Sequence, residues 1–215
     1  MLTDIQINQN KQDFINFINS IERESFKKDL FLEKMENSDF YYAPASTKFH
    51  GNYRGGLVDH CLNVYYRLSN LVRLAGLEDK ISNESCIIVA LMHDLAKRNF
   101  YTISIKNKKK YSESGKRDDR DGNGRYDWIS VPGYAVADSS DRFLYGNHEQ
   151  TSEFMASQFI DLTVEESVAI LHHMGGLSFD STKEDYFSIY RRYPLALLLF
   201  EADMLASCID EPVEK

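Results

Sequence analysis

Along most of the chain the apolar positions recur at helical spacing, and over one internal stretch they alternate with polar ones, which predicts a mostly α protein carrying one β insertion. Between residues 11 and 40, Phe14, Ile15, Phe17, Ile18 and Ile21, then Phe26, Leu30, Phe31 and Met35, outline two short amphipathic helices that would cover the core. Residues 41–56, with Pro44 and three glycines, read as a loop. It leads into a helix over 56–74 with Leu57, Cys61, Val64, Leu68 and Leu71 on one side and Gly76 as its stop. Ser82 or Asn83 caps a further helix in which Ile87, Ile88, Ala90, Leu91, Met92 and Leu95 leave almost no polar face, as expected of a central buried helix.

After residue 100 the period changes. Tyr101, Ile103 and Ile105 alternate with polar residues, a charged glycine-containing stretch follows, and then come Trp128, Ile129, Val131, Tyr134 and Val136, predicting a β-hairpin inserted over about 100–137. Helical spacing returns over 149–160 and over 164–174, the latter opened by Thr163 with Glu166 three residues on as a capping box, and a last apolar helix covers 193–209. No repeat is present. The expected organisation is N-terminal helices over 1–40 packed on one domain over 41–210, consistent with a length of 215 residues.

Polar residues inside the apolar helices carry the chemistry. His93 and Asp94 interrupt the most apolar run, His60 lies near the start of the preceding helix, His172 and His173 near the end of another, and Asp203 within the last. Buried carboxylates and imidazoles need partners. Several helices each turning one such group inward is how bundle metal sites are built. Nitrogen and oxygen ligands without thiolates suit one or two divalent ions of manganese, iron, cobalt, nickel, zinc or magnesium. Such an ion acidifies water and polarises a phosphoryl oxygen, the requirements of phosphate ester hydrolysis. The bland reading of each residue alone is a hydrogen-bonded core histidine, or an aspartate paired with an arginine such as Arg191 or Arg192.

The net charge of −8 gives no global attraction to a long nucleic acid, so a small phosphorylated substrate is expected. Lys106, Lys108, Lys109 and Lys110 form only a local basic cluster. Cys61, Cys86 and Cys208 are isolated and odd in number, predicting reduced thiols rather than disulfides or a thiolate site. No run of apolar residues is long enough for a membrane span and the N-terminus lacks the build of a secretion signal, so a cytoplasmic protein is expected.

The ordered segments GGLVDH (55–60), LMHDLAK (91–97), LHHMGG (171–176) and EADMLAS (201–207) resemble the successive H…HD…D motifs of HD-domain phosphohydrolases. PASTKFHGNYRGGLVDH is similar to the start of the HD domains of bacterial 3′–5′ exoribonucleases, and the hairpin followed by YGNHE is similar to small HD proteins of bacteria and their phages. The resemblance runs from about 44 to 210 and implies an HD-domain helical bundle. It implies further that His60, His93, Asp94 and Asp203 hold one ion, that Asp94 bridges to a second, and that His148 with His173 or His172 complete it. His173 matches the single histidine of the similar WHMG, whereas Asn147 stands where the histidine of the similar proteins follows YG directly. Lys97 matches the lysine of HDxxK and would stabilise developing charge beside Asp94.

Further candidates for metal or substrate binding are His50, Arg54, Glu149, Arg191 and Arg192. The implied activity is hydrolysis of a nucleotide or short oligonucleotide phosphate ester through metal-activated water. Two alternatives from other classes remain: a di-iron oxygenase of the HD type, and a non-catalytic nucleotide-binding module. Separately, Asp119, Asp121, Asn123, Gly124 and Asp127 resemble the first half of a calcium loop, although Ser130 replaces its closing glutamate and the same residues suit a hairpin turn.

Overall fold

Thr3 accepts a hydrogen bond from the Gln6 amide and Gln6 reciprocates, a capping box that starts helix α1 (Asp4–Asn19) seven residues before the apolar spacing becomes visible. The structure, a computed structural model, describes residues 2–116, 119–138, 140, 142–143, 146–175 and 185–211. It is mostly helical with a small three-stranded sheet. Helices α2 (Lys28–Glu36), α3 (Gly56–Leu74) and α4 (Asn83–Met92) come before the sheet, and α5 (His148–Ser157), α6 (Val164–Leu171), α7 (Tyr186–Arg192) and α8 (Pro194–Leu205) after it.

Helix α3 sits against α4 and α8, and α6 against α4 and α8, so these four surround one core. Leu57, Leu68, Ile88, Leu91 and Met92 are fully buried within it. On the other side α1 and α2 contribute Phe14, Ile18, Phe31 and Met35, also buried, and the rings of Phe14, Phe40 and Tyr41 pack within about 6 Å of one another. Arg23, just after α1, joins this layer to the bundle by two hydrogen bonds of 2.6 and 2.8 Å to Glu166 at the start of α6, and a third to Glu84 of α4.

Strands β1 (Tyr101–Tyr111) and β3 (Gly124–Val136) pair antiparallel from Tyr101 opposite Val136 to Tyr111 opposite Tyr126, and the short β2 (Arg120–Asp121) pairs with the other edge of β3. This is the inserted hairpin that the alternation predicts. Asp121 accepts hydrogen bonds from Lys109, Tyr111 and the Asn123 amide, so the calcium-like segment is engaged as a turn.

Three helix ends differ from the expected ones. Helix α4 stops at Met92: His93 caps it, and Asp94 leaves the helical region at φ −113° before a 3-10 turn over Leu95–Lys97. Helix α6 likewise ends at Leu171, with His172 at φ −121°. The last helix is divided, with α8 ending at Leu205 and a π-helical turn over Ala206–Asp210 completing it. In each case apolar residues continue beyond the break, so their spacing carries no stop signal. Helix α7 was not expected, because none of its residues is buried and it shows no apolar stripe. Tyr145 of YGNHE and Gly176 of LHHMGG lie outside the described residues.

Candidate metal centre

The breaks at the ends of α4 and α6 aim two imidazoles at the same point. His93 Nδ1 lies 2.9 Å from the carbonyl of Ala90, and His173 Nδ1 lies 2.8 Å from that of Ile170. A carbonyl only accepts, so each Nδ1 carries the proton and each Nε2 presents a lone pair to the interior. His60, from the second turn of α3, turns its Nε2 to within 3.2 Å of His93 Nε2. Its own Nδ1 is 2.9 Å from Glu211 Oε1.

Two carboxylates face these nitrogens. Asp203 Oδ1 is 3.3 Å and Asp94 Oδ2 is 3.5 Å from His60 Nε2, while Asp94 Oδ2 is 3.4 Å from His93 Nε2. The other Asp94 oxygen, Oδ1, is 3.8 Å from His173 Nε2. Ligand atoms of His60, His93 and Asp203, and again of His93, Asp94 and His173, lie within 4.8 Å of one another. All five residues are buried. They come from α3, from the ends of α4 and α6, and from α8, so the four core elements meet here.

The donor set fits a cation. Asp94 Oδ1 and His173 Nε2 are buried with no hydrogen-bond partner among the described residues, a costly state in a dry interior that a shared positive ion would relieve. Burial alone would lower the His60 imidazole, yet its hydrogen bonds to Asp203 and Glu211 raise it to about 10, so these carboxylates already draw positive charge to the spot. Burial favours a neutral Asp203, but the His60 hydrogen bond and the surrounding imidazoles hold its carboxyl below the ordinary range; burial of Asp94 is outweighed in the same way by Lys97 and His93. His173 is pushed down to about 3 by burial and by His93 and His148, leaving its nitrogen free to ligate near neutrality. These buried histidines and aspartates can hold a metal ion.

Lys97 closes one side. Positions three apart eclipse on a 3-10 turn, and Lys97 Nζ lies 2.6 Å from Asp94 Oδ2. Ser152 of α5 accepts the Ala96 amide at 3.1 Å and so fixes this turn. The one-residue offset at Asn147 is resolved by α5 itself: Asn147 is its N-cap, in a capping box with Gln150, and His148 begins the helix. The His148 ring is 5.2 Å from that of His173, and burial lowers its pKa to about 4. Glu149, beside it, is buried, with Oε2 3.9 Å from His148 Nδ1.

His50 lies against His60 with ring centres 4.8 Å apart and the rings tilted by 33°, and its Nε2 is buried without a hydrogen-bond partner among the described residues. Two cavities of about 240 and 420 Å³ adjoin the centre and share His50, Met174 and Asp203 in their walls. The smaller also takes in Lys97, Tyr101 and His148, whereas the larger is mainly apolar, with Phe49, Phe200 and Met204.

Other candidates lie elsewhere. His172 turns away, its ring 5.9 Å from that of Tyr186 and its carbonyl accepting the Tyr190 hydroxyl, because the chain leaves α6 between the two adjacent histidines. Arg54 pairs with Asp4 at 2.5 Å on the surface. Arg191 and Arg192 are exposed, over the rings of Phe187 and Tyr193, and line a separate hollow with Lys80 and Glu165. No arginine pairs with Asp203 among the described residues; its other neighbour is Ser207, donating at 3.1 Å.

Glu211 was not anticipated. It follows the π-helical turn, is buried, and comes within reach of Gly51, where a Cβ would sit 3.3 Å from Glu211 Oε2 and only 2.6 Å from Ala45 Cβ. Gly51 also takes φ +55°, so the loop carrying His50 needs glycine there twice over. In sequence Glu211 follows another acid, Asp210, and interrupts no apolar run, so nothing local distinguishes it. In comparisons with known proteins, the chain matches no family model, no curated protein and no solved structure.

Proposed function

We propose that this chain is a metal-dependent phosphohydrolase of the HD superfamily, acting on the phosphate ester of a nucleotide or short oligonucleotide. The observation that carries the reading is the convergence of three imidazole Nε2 atoms and two aspartates in a buried centre with a lysine at its edge and a cavity beside it. His60, His93, Asp94 and Asp203 would hold one ion, and His173 with His148 would serve a second on the side of Asp94 Oδ1. A divalent ion bound there supplies an acidified water and a polarised phosphoryl oxygen.

The chain's own residues supply the rest. Lys97, kept protonated by Asp94 against the effect of burial, places a fixed cation where negative charge grows during phosphoryl transfer. His50, lowered to about 4 by burial and by His60, adds a neutral nitrogen to the cavity wall without repelling the ion. Phe49, Met174 and Phe200 offer the larger cavity an apolar surface for a base.

Hydrolysis products should be measured with manganese, cobalt, nickel, iron, zinc and magnesium in turn, alongside metal content: free phosphate or polyphosphate from nucleotides, and nucleoside monophosphates from cyclic nucleotides and short oligonucleotides. The expected result is hydrolysis that EDTA abolishes and added ion restores, lost in folded His93→Ala and Asp94→Ala proteins. A metal-loaded protein that hydrolyses none of these, or that consumes dioxygen with an iron absorption band instead, overturns the reading.

A further inference from the structure

Beyond Tyr101 at its base, the β1–β3 ribbon contributes nothing to the metal centre, and its two faces differ sharply. The register puts Ile103 and Tyr134, Ile105, the Asn107–Ser130 pair, Lys109 and Trp128, and Tyr111 and Tyr126 on one face. Lys106, Lys108 and Lys110 fall on the other. On the apolar face Ile103 is 80%, Ile105 77% and Trp128 56% exposed. Its one lysine, Lys109, is already engaged by Asp121 at 2.7 Å. A charge-depleted stripe of aliphatic and aromatic side chains resembles an interface core rather than a surface for a polyanion, whose phosphates the opposite face would have to reach.

The order of residues along the stripe is self-complementary. Ile103 and Ile105 lie toward the base beside Tyr134, and Trp128, Tyr126 and Tyr111 toward the tip, while the middle is polar, with Ser130 donating to Asn107 at 3.0 Å. A two-fold axis through that middle lays the aromatic tip half of one ribbon on the half of another that carries Ile103 and Ile105 and brings the polar pairs together. It also sets each ribbon tip against the partner's body. Residues 101–136 carry eight Lys and Arg against five Asp and Glu, in a chain with 25 against 33, so the charges complement as well. With aromatic side chains offering on the order of 150–250 Å² each, the exposed stripe amounts to roughly 600–800 Å² per copy, near the ~800 Å² per partner of a standard interface.

We propose that this face joins two copies of the chain, ribbon against antiparallel ribbon, with the axis beside Asn107 and Ser130. The proposal is independent of the chemistry at the metal centre. Light scattering after size exclusion should give about twice the 24.9 kDa of one chain. The variant Ile103→Lys/Ile105→Lys should be monomeric with unchanged helical circular dichroism, since both side chains are exposed. In a Cys208→Ser background, which removes the exposed native thiol, Asn107→Cys should cross-link to itself on mild oxidation and Lys108→Cys should not. A monomeric wild type overturns the proposal. So does a dimer that survives the double substitution or cross-links through residue 108. A monomer whose lone tryptophan, Trp128, is quenched by a single-stranded oligonucleotide would assign the face to nucleic acid instead and equally overturn it.

Discussion

Asp203 tests the centre most sharply among single residues, because its carboxylate faces His60 and no arginine. Asp203→Asn keeps the shape and removes a charge, so metal content by elemental analysis should fall at least tenfold, while the melting temperature in EDTA stays within a few degrees of wild type. Full metal retention with an EDTA-independent loss of stability would assign Asp203 to packing. Glu211 acts one step further out. It holds His60 through Nδ1, and loss of such a support typically costs 10–100-fold in metal affinity, so Glu211→Gln should bind the ion that much more weakly in competition with a chelating dye. Unchanged affinity would make the contact incidental. The two residues also differ in legibility. Asp203 interrupts an apolar run, and a carboxylate there needs an explanation even in one dimension; Glu211 interrupts nothing, and its role exists only because the π-helical turn brings the chain back beneath His60.

The joint between α1, α4 and α6 sets a prediction for the elements. Glu166 is fully buried and Arg23 is 19% exposed at the side chain. Burial favours a neutral Glu166, but the Arg23 hydrogen bonds, the Thr163 amide and Ser85 outweigh it and hold the carboxyl below its ordinary 4.5. A depressed acid stabilises the fold above that ordinary value, and the contribution fades as pH falls through the folded one. Glu166→Gln should therefore show a flatter dependence of urea-unfolding stability on pH below about 4.5 than wild type does. Arg23→Met leaves the carboxylate buried without its partner at a cost of about 3 kcal/mol, which lowers the melting temperature by roughly 6–12 °C. A change within 1–2 °C would show that solvent already satisfies Glu166. The ribbon tip behaves differently: replacing residues 114–126 by a short turn should leave helical circular dichroism and the melting temperature of the bundle nearly unchanged, since no described residue of the segment belongs to the hydrophobic core. Loss of the cooperative transition would refute this. Helices α3 and α4 could be read from periodicity because each buries one face or all of its surface, and the hairpin because its side chains alternate between two faces of different character. The ends of α4 and α6 could not, since Asp94 and His172 leave the helical region without being glycine or proline, and it is those exits that aim His93 and His173.

At the scale of the molecule, the class of fold and most of the histidine and aspartate cluster were legible because buried polar residues are rare enough in apolar helices to stand out. Which of two adjacent histidines turns inward, and what supports His60, depend on backbone exits and on a distant segment, which no local pattern records. That distance has a consequence for how the centre comes into being. Its parts are spread from His60 to Glu211, so loops spanning most of the chain must close before the last oxygens meet the first nitrogen. Capture of an ion at this centre would therefore be a late event in folding. A refolding chain should gain its helical signal first and its ion afterwards, so an ion supplied at the start should leave the folding rate nearly unchanged and act mainly by slowing unfolding. A chain shortened before Ala206 would retain the histidines and Asp203 yet lack Glu211 beneath His60, arriving at a bundle that folds but binds its ion weakly.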